Sequence, residues 1–368
     1  MPILKVKSIK PKPGILSVER YYGGLSKVKG YKKVIKLSSN ESALGHSPKV
    51  NQILRPSENI IFRYPDSSYK KLKSVLAKKH NISEKKIFCG NGSDEIFSLI
   101  CNSFLDKSDE VIIGQHAFLL YKIYSKINGA KVVFAKENNY TLSINSILKK
   151  INKKTKILFI ANPNNPTGTY IGKREIINLL NKVPKKILIV IDEAYGEFVK
   201  NKNYTSAIPL VKKRKNVLVT RTFSKIYGLA SLRIGWSYSS IDLCEILNRV
   251  RGPFNINGIA EKAAIVAIKD QKFVKKATDF NTKWISKSSK KLTKLGYKII
   301  PSVCNFYLLK LRDKKQANIL YKYLQSNGII VRKLDAYGIN DCLRITIGKN
   351  KENITLIRTL EKFTKKNK

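Results

Sequence analysis

The chain has 368 residues, of which 72 are Lys or Arg and 25 are Asp or Glu, so its formal net charge is +47. No window approaches about 18 consecutive apolar residues, and the first residues lack the apolar core of a signal peptide. These features argue against a membrane protein and predict a cytoplasmic one. A hydrophobic content of 43% in a chain longer than one typical core predicts a globular protein with one large and one small domain.

The five cysteines are odd in number, widely spaced and not arranged as CxxC pairs. This pattern predicts reduced, mostly buried thiols, and neither a disulfide framework nor a zinc site. The three histidines are too dispersed to suggest a metal site of another kind.

The positive charge is mostly lysine and is scattered along the whole chain, as in a genome-wide composition bias. We therefore expect a solvated basic surface and no specific nucleic-acid partner. Such a surface would attract anionic substrates and associate with nucleic acid weakly and in a salt-sensitive way.

The first 45 residues carry no long periodic element. From about residue 46 to 265, short apolar strands alternate with helical segments, which predicts a doubly wound α/β domain with a mostly parallel sheet. The predicted strands are residues 87–89, 111–113, 132–135, 156–161, 186–191 and 217–220.

A glycine-rich turn, GNGSDE at residues 90–95, separates the first predicted strand from a helix predicted over 96–104. Glycines before a helix let backbone N–H groups approach a phosphate at the positive helix end. Taken alone, the turn fits an ordinary helix N-cap by Ser93 or Asp94 equally well.

Polar residues follow three successive predicted strands at their carboxyl ends: Asn165, Asp192 and Lys225. Open α/β sheets bind their ligands at this edge. Lys225 alone fits a solvated surface charge, but the three residues together predict a functional site.

After about residue 265 the pattern changes to an amphipathic helix, short strands at 306–309, 329–331 and 343–347, and a final helix over 352–363. This order predicts a small α+β domain. Alternating apolar and polar positions around Arg344 predict a half-exposed antiparallel strand whose arginine faces a cleft.

Three motifs, NPNNPTG at 162–168, DEAYGEF at 192–198 and TFSKIYGLASLRIGW at 222–236, resemble the fold-type I pyridoxal-phosphate aminotransferases. KLSSNES, GHSPK, RYPD, GNGSDEI and YGINDCLRITIG extend the resemblance almost end to end and narrow it to the class-II histidinol-phosphate aminotransferase family. It implies an α/β fold with an N-terminal arm (1–45), a large cofactor-binding domain (46–265) and a small C-terminal α+β domain (266–368). It also implies a homodimer with shared active sites. The chain departs from the family in lacking two arm prolines between Asn40 and Pro48 and in having Ser231 where glycine is more frequent.

The resemblance also implies site residues for pyridoxal 5'-phosphate. Lys225 would bind the cofactor covalently and then carry a proton as general base and acid. Asp192 would partner the ring nitrogen, Tyr195 and Asn165 the phenolic oxygen, and Phe118 would stack on the ring. The phosphate would be held by Ser93, Asp94 (through its backbone N–H), Thr222, Ser224, Arg233 and, from the second subunit, Tyr64.

On the substrate side the resemblance implies that Arg344 reads an anionic group. Tyr21, Asn40 and Arg332 are further candidate substrate contacts. The implied reaction is transamination of L-histidinol phosphate with 2-oxoglutarate, in histidine biosynthesis.

Several alternatives stay open. One is an aminotransferase for aromatic amino acids, aspartate or other amino acids, and another is a threonine-phosphate decarboxylase on nearly the same scaffold. An aminotransferase-like transcription regulator would need a DNA-binding domain, for which the motifs leave no room. Hydride transfer is disfavoured because no GxGxxG opens a βαβ unit.

Overall fold

The computed structural model describes residues 11–21, 23–54 and 62–366. Parts of the predicted arm (1–10 and 22), of the predicted large domain (55–61) and of the predicted small domain (367–368) therefore lie outside the described residues. Within the described part, no helix is both long enough and apolar enough to cross a membrane.

The strands are β1 (Ile35–Lys36), β2 (Ile87–Gly90), β3 (Glu110–Gly114), β4 (Lys131–Ala135), β5 (Glu137–Asn138), β6 (Thr141–Leu142), β7 (Thr155–Ala161), β8 (Leu188–Asp192), β9 (Val217–Thr222), β10 (Gly235–Tyr238), β11 (Lys298–Ile300), β12 (Phe306–Lys310), β13 (Ile329–Ile330), β14 (Arg332–Leu334) and β15 (Ile339–Thr346).

The helices are α1 (Pro13–Leu16), α2 (Asn51–Leu54), α3 (Lys70–His80), α4 (Gly92–Phe104), α5 (Leu119–Ile127), α6 (Ile144–Lys150), α7 (Lys173–Lys182), α8 (Ile208–Val211), α9 (Ile241–Val250), α10 (Gly258–Lys269), α11 (Gln271–Lys294), α12 (Lys314–Gln325) and α13 (Asn350–Lys366), with short 3-10 turns between some of them.

The large sheet has seven strands in the order β2-β10-β9-β8-β7-β3-β4. Only β10 runs antiparallel to its neighbours, so the prediction of a mostly parallel sheet is confirmed. Strands β8 and β9 are buried along their whole length, because helices cover both faces of the sheet. Alternate residues of β8 enter two different core clusters: Ile189 and Ile191 pack on one face, Leu188 and Val190 on the other.

The small sheet is antiparallel, in the order β11-β12-β15-β14. The strand around Arg344 is antiparallel and its arginine lines a cavity, as predicted, but the predicted half-exposure is wrong: β15 lies between β12 and β14, and Arg344 is only 5% exposed. The polar positions that alternate with apolar ones do not face solvent here, because the arm and the large domain cover that side.

The strand predicted over 329–331 is two strands. The first, β13, pairs in parallel with β1, and the second, β14, joins the four-stranded sheet. The end of the arm is therefore tied to the C-terminal unit, and Leu37 packs in the core of that unit. Among the described residues the first strand is β1, which lies upstream of the strand predicted at 87–89.

Helix α11 connects the two units. Ala277 near its start packs in the core of the large unit, whereas Trp284 and Leu292 pack in the core of the small one. We propose the division into an arm, a large domain and a small domain on this basis, with the arm's last residues packing as part of the small unit.

Candidate active site

A cavity of about 300 Å³ opens at the carboxyl ends of β7, β8 and β9, between the large and small units. The strand register brings these ends together, since Asp192 lies opposite Ala161 of β7 and Thr220 of β9. The cavity is lined by all but one of the residues that the sequence singles out: Tyr21, Asn40, Ser93, Asp94, Phe118, Asn165, Asp192, Tyr195, Thr222, Ser224, Lys225, Arg233, Arg332 and Arg344. The exception is Tyr64.

Asp192 ends β8 at the floor of the cavity, and it is 6% exposed. Its carboxylate accepts hydrogen bonds from the Tyr121 hydroxyl (2.6 Å), the Thr220 hydroxyl (3.1 Å) and the Ala194 backbone N–H (3.1 Å). Burial raises the pKa of Asp192 to about 6, against the three hydrogen bonds, which lower it. A positively charged donor in the cavity would favour the ionised form.

Two side chains are oriented so that a donor remains available to the cavity. The Asn40 side-chain amide donates to the Tyr195 hydroxyl oxygen (2.8 Å), so the Tyr195 O–H proton is free to point elsewhere. The Arg344 guanidinium donates to Oδ1 of Asn165, which leaves the Asn165 NH₂ group as a donor. Both residues can therefore donate to one anionic oxygen.

Lys225 follows β9 by three residues, and its ammonium lies 5.8 Å from the centroid of the Tyr195 ring. The surrounding protein and the positive charge of Arg344 lower its pKa to about 8. A substantial fraction of the amine is therefore neutral near physiological pH, and a neutral amine is the form that attacks a carbonyl carbon.

Arg233 and the start of α4 form a polar cradle at the other end of the cavity. The guanidinium donates to the Ser224 hydroxyl (3.2 Å) and to the Asp94 carboxylate (2.9 Å). A Cβ atom added at Gly92 would lie 2.4 Å from Nη2 of Arg233, and one at Gly235 would lie 2.7 Å from the Ser93 nitrogen. Glycine is favoured at Gly92 also by its φ of +78°, and it is required at Gly235 because the neighbouring atom belongs to the backbone.

The alternative reading of the glycine-rich turn, in which Ser93 or Asp94 caps the helix, is wrong. Helix α4 already begins at Gly92, and its N-cap, Asn91, makes no side-chain cap bond. The Asn91 N–H instead donates to the Glu95 carboxylate (2.6 Å), and Ser93 and Asp94 lie within the first turn. Backbone N–H groups of that turn have no partner within the helix and can receive an anion.

Arg344 lies beside the arm. Its Nη2 donates to the Ser38 carbonyl (2.8 Å), its guanidinium lies over the Phe306 ring at 5.3 Å, and its buried Nε has no hydrogen-bond partner among the described residues. The hydrogen bonds to Asn165 and Ser38 use two of the five guanidinium N–H donors, so Arg344 keeps donors for a ligand. Burial lowers the pKa of Arg344, but an arginine remains charged.

Tyr64 does not reach this chain's own cavity. Its side chain is 83% exposed and stacks on Phe254, with ring centroids 4.5 Å apart. The predicted contribution of Tyr64 from a second subunit therefore stays a prediction. Phe118 lines the cavity, edge-on to Tyr121 at 5.7 Å.

Sequence reasoning missed two residues of the site. Tyr121 holds the Asp192 carboxylate from helix α5, and Tyr337 of the small unit lines the cavity. Tyr121 is separated from Asp192 by 71 positions and sits in an ordinary amphipathic helix, so no local signal marked it. Tyr337 is the first residue of the motif YGINDCLRITIG, which indicated this segment of the chain but not the tyrosine itself.

The donor set fits pyridoxal 5'-phosphate. The cradle around Arg233 suits a phosphate, the two freed donors suit a phenolate oxygen, the buried carboxylate suits a ring N–H⁺, and Lys225 supplies an amine with a lowered pKa. The Arg344 guanidinium, which lines the same cavity and keeps N–H donors beyond the two that bind Asn165 and Ser38, suits a second anion.

Comparisons with known proteins agree with this geometry. The family model described as aminotransferase class I and II matches residues 32–360. The chain is 47% identical to the histidinol-phosphate aminotransferase of Pelagibacter ubique, over 95% of this chain and 98% of that protein, and 42% identical to that of Paramagnetospirillum magneticum, over 96% and 98%. Among solved structures it resembles the histidinol-phosphate aminotransferase of Sinorhizobium meliloti in complex with pyridoxal-5'-phosphate, with a TM-score of 0.87 at 25% identity, over 91% of this chain and 92% of that one. The chain therefore belongs to the class I and II aminotransferases, within the histidinol-phosphate aminotransferase family.

Proposed function

We propose that this enzyme transfers the amino group of L-histidinol phosphate to 2-oxoglutarate with pyridoxal phosphate as cofactor, giving imidazole acetol phosphate and L-glutamate. The observation that carries the proposal is the 47% identity, over nearly the whole chain, to a relative of that name. The cavity adds the chemistry, because its residues supply an amine, a buried carboxylate and two separate anion sites.

The cofactor, when bound, supplies an electron sink that stabilises negative charge on the substrate carbon. Arg233, Ser224, Thr222 and the N–H groups of Ser93 and Asp94 would hold its phosphate. Asp192 would hold its ring nitrogen protonated, since a buried carboxylate is stabilised by a positive partner. Phe118 would lie against one face of the ring.

Lys225 would act at two stages. Its neutral amine would anchor the cofactor. Once the substrate has taken its place, the same amine would accept the proton from the carbon of the amino donor and, in the second half-reaction, supply one to the corresponding carbon of 2-oxoglutarate. Tyr195 and Asn165, held by Asn40 and Arg344 respectively, would donate to the phenolic oxygen without reorientation.

Arg344 would bind the anionic group of either amino donor, the phosphate ester of histidinol phosphate or the α-carboxylate of glutamate. Tyr21, Asn40 and Arg332 line the same part of the cavity and would complete the substrate site. One arginine can serve both half-reactions because its planar fork fits both carboxylate and phosphate.

A homodimer follows from the position of Tyr64 in this proposal. The exposed aromatic side chains of Phe62, Tyr64 and Phe254 form a patch on the large unit that a second subunit would cover, bringing Tyr64 to that subunit's cofactor phosphate. A cytoplasmic location fits the five free thiols, because a reducing compartment keeps thiols reduced.

The test is an absorbance spectrum of the purified protein with pyridoxal phosphate, before and after L-histidinol phosphate, beside Lys225→Ala. A cofactor band that changes on adding this substrate, with imidazole acetol phosphate formed, supports the proposal. A response only to glutamate with an aromatic amino acid or aspartate would replace the substrate but keep the reaction. Release of CO₂ from threonine phosphate would assign the decarboxylase, and no cofactor band would overturn the enzyme itself.

A further inference from the structure

A second cavity lies at the opposite edge of the large sheet, where β7, β8 and β9 begin. Its volume is about 600 Å³, and it contains six cationic side chains, Lys156, Lys185, Lys186, Lys213, Arg214 and Lys215. We call it the amino-edge cavity. The six residues of β9, from Val217 to Thr222, span about 20 Å and separate it from the active site.

The cations of this cavity are not neutralised by neighbouring carboxylates. None of its five lysines forms an ion pair with an acidic side chain in the described part of the chain. One carboxylate, that of Asp242, lines the cavity among them. Several like charges at the wall of a concavity of low dielectric focus a positive potential, which attracts a polyanion.

Two further features give the cavity a defined shape for a ligand. Arg214 is fixed, since its guanidinium donates to Oδ1 of Asn216 (3.1 Å) and to the carbonyl of Val183 (2.9 Å). Helix α9 begins at the rim with Ser240 as its N-cap, so the positive end of the helix dipole lies beside the cavity.

The floor of the amino-edge cavity is apolar. Phe104, Leu188 and Leu243 line it, and all three pack in one core cluster beneath the sheet. A ligand that is only an inorganic anion would leave this floor unused. A flat ring carrying several phosphates would use both parts, and the volume lies in the range of small-molecule sites.

We propose that the amino-edge cavity binds a nucleoside triphosphate, with its base against Phe104 and Leu243 and its phosphates among the lysines. The site would be separate from the catalytic cavity and independent of the substrate assigned to it. A patch of lysines on α12 serves as the control for the lysines of the amino-edge cavity. Lys314, Lys315 and Lys322 are exposed there without an apolar floor of buried side chains.

The experiment is calorimetric titration of the cofactor-saturated protein with ATP, at about 150 mM salt to screen diffuse surface charge. Saturation with cofactor keeps ATP out of the catalytic phosphate cradle. The triple variant Lys185→Gln/Lys186→Gln/Lys213→Gln should raise the ATP dissociation constant about tenfold or more. The matched variant Lys314→Gln/Lys315→Gln/Lys322→Gln removes the same charge and should change it less than about twofold.

Equal weakening by the two triple variants, or no ATP binding by the wild type, would overturn the proposal. Inorganic triphosphate should bind more weakly than ATP, and equal affinity for the two would overturn the placement of the base on the apolar floor. Thermal unfolding and transaminase activity of both variants, which alter only exposed lysines outside the catalytic cavity, should match the wild type and so confirm intact folding.

Discussion

The charge state of Lys225 is set by its surroundings rather than by its own chemistry. Burial and the nearby Arg344 charge lower its pKa to about 8, so the reactive neutral amine accumulates as the pH rises through about 8. The rate at which the ligand-free enzyme captures pyridoxal phosphate should therefore rise with pH around this midpoint. Stopped-flow absorbance measures it, and Lys225→Ala should show no covalent capture.

Arg344→Gln provides the complementary test. It removes a positive charge near Lys225, so the ammonium form of Lys225 becomes more stable and the pKa of Lys225 should rise. The midpoint of the capture rate should move to higher pH, whereas Arg312→Gln, an exposed arginine paired with Asp313, should leave it in place. A midpoint unchanged in Arg344→Gln would contradict the assigned cause.

The Tyr121 hydroxyl is the shortest contact of the Asp192 carboxylate, and it stabilises the ionised form. Tyr121→Phe should raise the pKa of Asp192 further above about 6. A larger fraction of the Asp192 carboxyl groups is then protonated in the ligand-free enzyme, and these must lose the proton before they can bind a protonated ring nitrogen. We expect the cofactor dissociation constant to rise about tenfold near neutral pH. Its loss of affinity on acidification should begin at a higher pH than in the wild type.

Fluorescence or absorbance titration with cofactor at a series of pH values measures both effects. Tyr238→Phe is the matched control. Tyr238 is as buried as Tyr121, but it is the last residue of the antiparallel strand β10 and pairs with Val219, so it lies away from the end of β9 that borders the site. If Tyr238→Phe weakens the cofactor as much as Tyr121→Phe does, general loosening of the core explains the result and the assigned role of Tyr121 fails.

At the scale of elements, the loop between β3 and α5 contacts the turn between β14 and β15. The His116 ring nitrogen Nδ1 lies 2.7 Å from the Tyr337 carbonyl oxygen, and the backbone N–H of His116 donates to the Glu137 carboxylate (2.9 Å). Tyr337 lines the active site between the strands that carry Arg332 and Arg344. The histidine thus holds the substrate side of the small unit against the large one.

We expect His116→Ala to raise the KM for the amino substrate about five- to tenfold with a smaller change in kcat, since one hydrogen bond is lost and the chemistry is untouched. His116→Asn should restore most of the loss, because an amide NH₂ can replace the ring donor. Steady-state kinetics decide this. His46→Ala is the control, because the His46 ring makes a single hydrogen bond within the described residues, with the adjacent Ser47 carbonyl (3.1 Å). A fall in kcat alone would contradict a positioning role.

The elements that the sequence predicts well are those whose pattern is local. Strands β7 to β9 are continuous apolar runs, so the convergence of Asn165, Asp192 and Lys225 at one edge could be predicted. Strand β10 was missed, because its four residues, Gly-Trp-Ser-Tyr, include no β-branched side chain and pair antiparallel within a parallel sheet. The bond between Tyr121 and Asp192 and the burial of Arg344 depend on residues distant in sequence, which periodicity does not report.

At the scale of the whole molecule, the position of Tyr64 decides how many chains make one active site. Tyr64 is 83% exposed and lies outside its own chain's cavity, so the proposed contact of Tyr64 with a cofactor phosphate requires a neighbouring subunit. We expect Tyr64→Ala to weaken cofactor binding and lower activity several-fold while the protein remains a dimer, and Lys225→Ala to abolish activity.

Mixing the two variants tests whether two chains share one active site, because active sites can be restored only if each site takes residues from both chains. In a heterodimer of Lys225→Ala with Tyr64→Ala, one site combines both substitutions, but the other combines an intact Lys225 from one chain with an intact Tyr64 from its partner. Co-refolded mixtures should therefore recover sites of wild-type cofactor affinity, at a quarter of all sites for equal, random pairing. In the purified heterodimer half of the sites should have wild-type affinity, and cofactor titration counts them. Activity no higher than the average of the two homodimers, or full activity in a monodisperse monomer, would show that each chain builds its site alone.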